Sequence, residues 1–179
     1  MGKSIRVAFC GIITAFCTIL MFFTGLIPTA TYALPALSGI LLIVVVIELG
    51  ASWAWPVYFA ASALSLLLAG DKEAVVLFIL FFGYYPIIKS AIEKMKNRYL
   101  SYLLKFLVFN STMIVAFFLS IIVLGVPEDS FTVFGVYLPW AFLAFGNLVF
   151  LIYDYAISNL VATYYRRFHK LVSKWLKVK

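Results

Sequence analysis

The sequence predicts an all-α fold: a polytopic membrane bundle of six transmembrane helices, both termini cytoplasmic, with an amphipathic C-terminal tail. Three observations predict it. The chain is 65% hydrophobic and 12% charged, with a mean hydropathy of +1.10. Soluble domains run at about 45–50% apolar and about 25% charged, so a soluble fold could not hide this surface. The apolar runs are continuous and near span length, not alternating as in a membrane barrel. The positive charges also gather on one side of those runs. The whole chain, 1–179, reads as a single transmembrane domain.

The elements follow in order. After a short basic start (Lys3, Arg6) the first span covers about Ile5 to Ile27. It is too long for a signal-peptide core and is expected to remain in the protein. Met1-Gly2 is not a myristoylation start, because position 6 is arginine. "PTATYALP" (Pro28–Pro35) is a turn, and the second span covers about Ala36 to Leu49. That span is short unless the turn dips into the membrane, and a re-entrant second span would leave five crossings. Gly50–Ser52 is a tight turn before a third span, about Trp53 to Ala69. "GDKE" (Gly70–Glu73) leads to a fourth, about Ala74 to Ser90, and "EKMKNR" (Glu93–Arg98) is a basic loop. The fifth runs from about Tyr102 to Leu124, and the sixth from near Tyr137 to about Tyr165.

With the N-terminus inside, this layout places thirteen of the fourteen Lys and Arg residues on the inner side. Only Lys72 lies outside, with Asp71, Glu73, Glu128 and Asp129. That is a positive-inside pattern, and it requires an even number of spans. The net charge of +7 is therefore topological and attracts anionic lipid heads; it does not imply nucleic acid. In the tail, Phe168, Leu171, Val172 and Trp175 follow i, i+3, i+4, i+7 spacing, as in a helix lying on the inner membrane surface.

No hydrolytic, group-transfer or phosphate-binding motif is present, so the chain is not expected to be an enzyme. No metal site or cofactor is expected either. Cys10 and Cys17 lie about two turns apart on one helix, too far for a disulfide. The only histidine, His169, has no second ligand nearby in sequence.

Candidate functional residues are the polar groups inside spans, which are costly there. Glu48, Lys89 and Lys105 lie near inner ends, where they snorkel or pair across helices. Asn147, Asp154 and Ser158 share one face of the last helix. Asn147 and Asp154 are the best-placed pair for a ligand or for an interhelical bond. On the outer side, Tyr32, Tyr137 and Trp140 either belong to an interfacial belt or line a pocket for a flat, mostly apolar ligand. On the first helix, Gly11 and Ala15, with Ala8 nearby, form a small-xxx-small pair that lets another helix approach. "FFGYYPIIK" (Phe81–Lys89) holds a predicted kink: Gly83 gives room, and Pro86 opposes the carbonyl of Phe82. Tyr84 and Tyr85 are expected near the interface, Lys89 at the cytoplasmic boundary, and Gly83 with Pro86 as a hinge.

A short, six-span, N-in and C-in chain without a nucleotide motif resembles the substrate-binding S component of energy-coupling factor (ECF) vitamin transporters. In that family a small-xxx-small motif on the first helix packs on a transmembrane coupling subunit. "GIITA" (Gly11–Ala15) takes that place here, with glycine for the usual first alanine. The resemblance implies a lid formed by "PTATYALP" and a pocket wall including Asn147 and the Tyr137–Phe145 stretch. It implies partners: membrane lipid, a coupling subunit, ATPase subunits and a small-molecule ligand. The implied function is a vitamin-uptake subunit in the bacterial plasma membrane. A non-transport scaffold with a basic cytoplasmic face is the alternative.

Overall fold

The computed structural model describes residues 2–125, 127, 132–133, 136–169 and 172. Helix α1 spans Lys3–Thr24, α2 Ala33–Leu49 and α3 Ala51–Leu68. Helix α4 (Lys72–Leu77) passes through a π-helical turn (Phe78–Phe82) into α5 (Tyr85–Ile92). Helix α6 is Arg98–Ile122 and α7 Pro139–Arg167. A two-residue ladder, β1 (Thr132–Val133) against β2 (Val136–Tyr137), precedes α7. With α4, the π turn and α5 taken as one rod, five helices are long and apolar enough to cross a membrane, and α2 is a shorter apolar helix of 17 residues. The chain is an all-α membrane bundle.

Helix boundaries follow local chemistry. Helix α2 begins at Ala33, before the expected start, and takes Pro35 into its first turn. A proline costs nothing there, because the first helical N–H groups lack partners anyway. Its length is about 25 Å, short of the roughly 30 Å apolar core of a bilayer. One residue joins α2 to α3: Gly50, at φ 92° and ψ 165°, a conformation essentially restricted to glycine. Asn97 starts α6 four residues earlier than expected by accepting from the N–H groups of Tyr99 (3.0 Å) and Leu100 (3.3 Å). Asp71 does the same for α4 through the N–H of Ala74 at 3.0 Å.

Two apolar cores flank a central pair formed by α2 and the α4–α5 rod. One gathers Cys17, Met21, Leu42, Val45, Val57, Ala61 and Phe78, and so joins α1, α2 and α3 to the rod. The other gathers Ile43, Phe81, Tyr85, Phe109, Phe150 and Ile157, joining the rod to α2, α6 and α7. In the second, Phe109 stacks on Phe150 with centroids 4.6 Å apart.

The break in the rod has a specific cause. Pro86 has no N–H for the carbonyl of Phe82, and the chain resets at Gly83 and Tyr84 so that Pro86 falls in the first turn of α5. The freed Phe82 oxygen turns toward α2. A Cβ on Gly39 would stand 2.2 Å from it, so only glycine permits this approach. Tyr58 of α3 supports the π turn, donating its hydroxyl to the Ile79 carbonyl at 2.7 Å. Its ring lies where a Cβ on Gly83 would stand, 2.8 Å away. The helix is interrupted at the expected place, by a π turn and the residues Gly83 and Tyr84, and Pro86 itself is buried.

Turns group at two ends as alternating crossings require. The turn between α1 and α2 meets the turn between α3 and α4: Thr31 donates to Asp71 at 2.8 Å, and a Cβ on Gly25 would stand 3.0 Å from the Cα of Gly70. At the opposite end, Glu48 meets Tyr164 and His169. The expected tail helix lies largely outside the described residues, at 170–171 and 173–179.

Candidate functional site

The charged residues of three spans converge on one buried cluster. Asp154 of α7 receives Lys89 of α5 on Oδ1 and Lys105 of α6 on Oδ2, the latter at 2.9 Å. Tyr85 donates to Oδ1 at 2.6 Å, and Lys89 also donates to the Asp154 carbonyl at 3.2 Å. Glu93, just past α5, accepts from Lys89 at 2.7 Å and Lys105 at 2.8 Å. Two lysines thus face two carboxylates. Lys89 is 2% exposed and Lys105 5%, so neither snorkels to lipid heads.

This corrects two expectations about the "FFGYYPIIK" stretch. Lys89 does not extend its amine to lipid heads but turns it into the bundle, where Asp154 offers it a charge. Tyr85 is not in an interfacial belt; it is fully buried against Phe81 and Phe150. Tyr84 shares a hydrogen bond with Thr112 at 2.7 Å.

Glu93 lies outside the spans, with its side chain 42% exposed. Burial by itself would raise its carboxyl, but Lys105 and Lys89 outweigh that and hold it below the usual carboxylate range.

Asn147 does not join Asp154. It pairs with Asn110 of α6 through two reciprocal amide bonds, both 2.9 Å. Each amide spends its remaining N–H on its own helix: Asn110 on the Phe106 carbonyl and Asn147 on that of Leu143, both at 2.8 Å. One face of α7 therefore holds two separate knots, an amide pair and an ionic clamp. Both are interhelical bonds among the described residues.

Of the outer aromatic candidates, the two with described side chains are both exposed. Tyr32 is 62% exposed and Trp140 73%. Tyr32 donates to Glu73 at 3.3 Å; its hydroxyl is held above its usual range by burial first and Glu73 second. The side chain of Tyr137 lies outside the described residues. The Thr31–Asp71 and Tyr32–Glu73 bonds tie "PTATYALP" to the next outer turn.

The small residues of α1 stay open. Ala8, Gly11 and Ala15 are exposed, and a Cβ on Gly11 would meet nothing within 4 Å. Ala15 continues into an apolar groove of about 360 Å³ with Thr18, Ile19 and Phe22 of α1 and Leu64 and Leu68 of α3. Helix α1 buries its other face, through Ile13, Cys17, Met21 and Thr24. Both cysteines are free.

One convergence was not legible in the sequence. Glu48 Oε1 accepts from Tyr164 at 2.7 Å and lies 3.0 Å from His169 Nδ1. These groups are more than a hundred positions apart, and no periodicity links them. The only signal was a carboxylate near a span end. No protein-family model, curated protein or solved structure matches the chain.

Proposed function

We propose that this chain is a non-enzymatic subunit of a membrane transporter, in the bacterial plasma membrane. It would capture a small vitamin-like molecule at the outer side. A separate transmembrane coupling subunit, docked on α1 and driven by ATPase subunits, would release it inside. The observation that carries this reading is the open face of α1. Ala8, Gly11 and Ala15 are exposed, and a Cβ on Gly11 would meet nothing within 4 Å among the described residues. Close helix approach at small residues is how membrane helices associate.

The test is a thermal-stability screen of the purified protein in lipid against vitamin-like compounds, together with pull-down of a coupling subunit. A ligand at a hundred times its Kd adds about 2.7 kcal/mol, which such a screen detects. No stabilising compound and no co-purified subunit would end the transporter reading. A second reading, a non-transport scaffold, is favoured by one specific observation: Asn110, Asn147 and Asp154 spend their polar groups on one another and on neighbouring helices. Asp154→Asn with unchanged ligand binding and assembly would reduce that residue to packing.

A further inference from the structure

We propose that this chain pairs with a second copy of itself along the outward face of α7, its Asn159 amide hydrogen-bonded to the partner's Asn159. Helix α7 buries Phe150, Asp154, Ile157 and Tyr164 against the bundle. Asn159 comes two positions after Ile157, about 200° round the helix, and so points away from the bundle. It is exposed, and its amide has no hydrogen-bond partner among the described residues.

This amide lies within the span. Tyr164 meets Glu48 in the last turn of α2, and Asn159 stands about 7.5 Å further in along α7. An unpaired amide is costly there, because lipid offers no hydrogen bonds. The same helix shows how the chain settles such a group: Asn147 and Asn110 exchange two bonds of 2.9 Å. A primary amide is both donor and acceptor, so it can pair in the same way with its own copy.

The surface around Asn159 suits that partner. Ala141, Phe145, Leu148, Ile152, Tyr155 and Asn159 recur at alternating steps of four and three, and all are exposed. That spacing is a heptad seam, which lets two helices wind together along one line. The stripe carries no charge before Arg166, so nothing on it repels its own copy. At Arg166 the guanidinium groups spread into the lipid heads. Positive charge gives every copy the same orientation in the membrane. A two-fold axis along the membrane normal then sets each seam residue against its own equivalent. A single asparagine among apolar seam residues fixes the register and the number of strands.

The test uses the full chain in liposomes, with Cys10 and Cys17 replaced by alanine. Leu148→Cys, Ile152→Cys and Tyr155→Cys should each form copy-to-copy disulfides at least about fivefold more than Val149→Cys or Leu151→Cys, which are exposed but off the seam. Energy transfer between copies labelled at Met95→Cys, in the α5–α6 loop, reads association as lipid dilutes the protein. Asn159→Leu should weaken association roughly 3- to 30-fold, the range of a polar interhelical bond in membranes. Asn159→Gln keeps the amide and should stay within about twofold. Equal cross-linking at all five positions would overturn the seam, and this needs no variant at Asn159. No cross-link between copies, as a face covered by lipid or by a different protein would give, overturns it too. Association unchanged in Asn159→Leu would overturn the amide pair.

Discussion

At the residue scale, Asp154 carries the largest consequence. It neutralises two buried lysines from two other helices. Removing one partner from a buried charge cluster leaves the others uncompensated, which costs about 3–5 kcal/mol. Asp154→Ala should therefore lower the thermal midpoint more than any single change at Asn147. Asn147→Ala should cost roughly 0.6–1.7 kcal/mol, the range of interhelical hydrogen bonds in membranes. Thermal unfolding in detergent, scored side by side, checks the order; an Asn147 variant as damaging as the Asp154 variant would contradict it. Glu93 adds a pH effect. Its carboxyl is held down in the folded state, so its contribution is present above the ordinary carboxyl range, about pH 4.3. It is lost as pH falls through the lower folded value. Acidification should loosen the native protein, and Glu93→Gln should flatten that acid limb of a stability-against-pH curve.

At the element scale, two glycines set how helices meet. Gly39 lets the freed Phe82 carbonyl lie against α2. Gly39→Ala should force the π turn and α2 apart at about 1–3 kcal/mol, as overpacking does. Gly50→Ala should cost about 1–3 kcal/mol for a different reason, the backbone strain of its conformation. Thermal unfolding of both variants tests these values, and near-neutral changes would refute the close contact and the strained turn respectively. The interruption of the fourth span was legible from Gly83 and Pro86. Its form was not: a proline predicts a missing bond, while the π turn depends on Tyr58 reaching the Ile79 carbonyl from another helix.

At the scale of the whole molecule, the open face of α1 separates folding from assembly. Gly11 has free space at its Cβ position, so Gly11→Leu should leave stability within about 0.5 kcal/mol or raise it slightly, as exposed helix positions allow. The same variant should block co-purification of a membrane partner. Gly11→Leu with a full complement of partner would remove α1 from that role. Pro86→Ala probes the rod in the same framework. If transport depends on the bend as a hinge, uptake falls while assembly stays; unchanged uptake removes the hinge.

The sequence by itself determined the class, an all-α membrane bundle of apolar helices. Lipid as solvent demands long apolar helices, and positive charge sorts to one side whatever the helices touch. It also picked out the residues that matter: Asn147, Asp154, Lys89, Lys105 and Glu48 stood out because polar groups are costly in a span. Only the tertiary structure decided their partners. Asp154 met Lys89 and Lys105, Asn147 met Asn110, and Glu48 met Tyr164 and His169. Spacing along one helix gives a shared face, but which neighbour stands opposite depends on how all the helices pack. In a medium without water, a buried polar group must take whatever partner that packing brings.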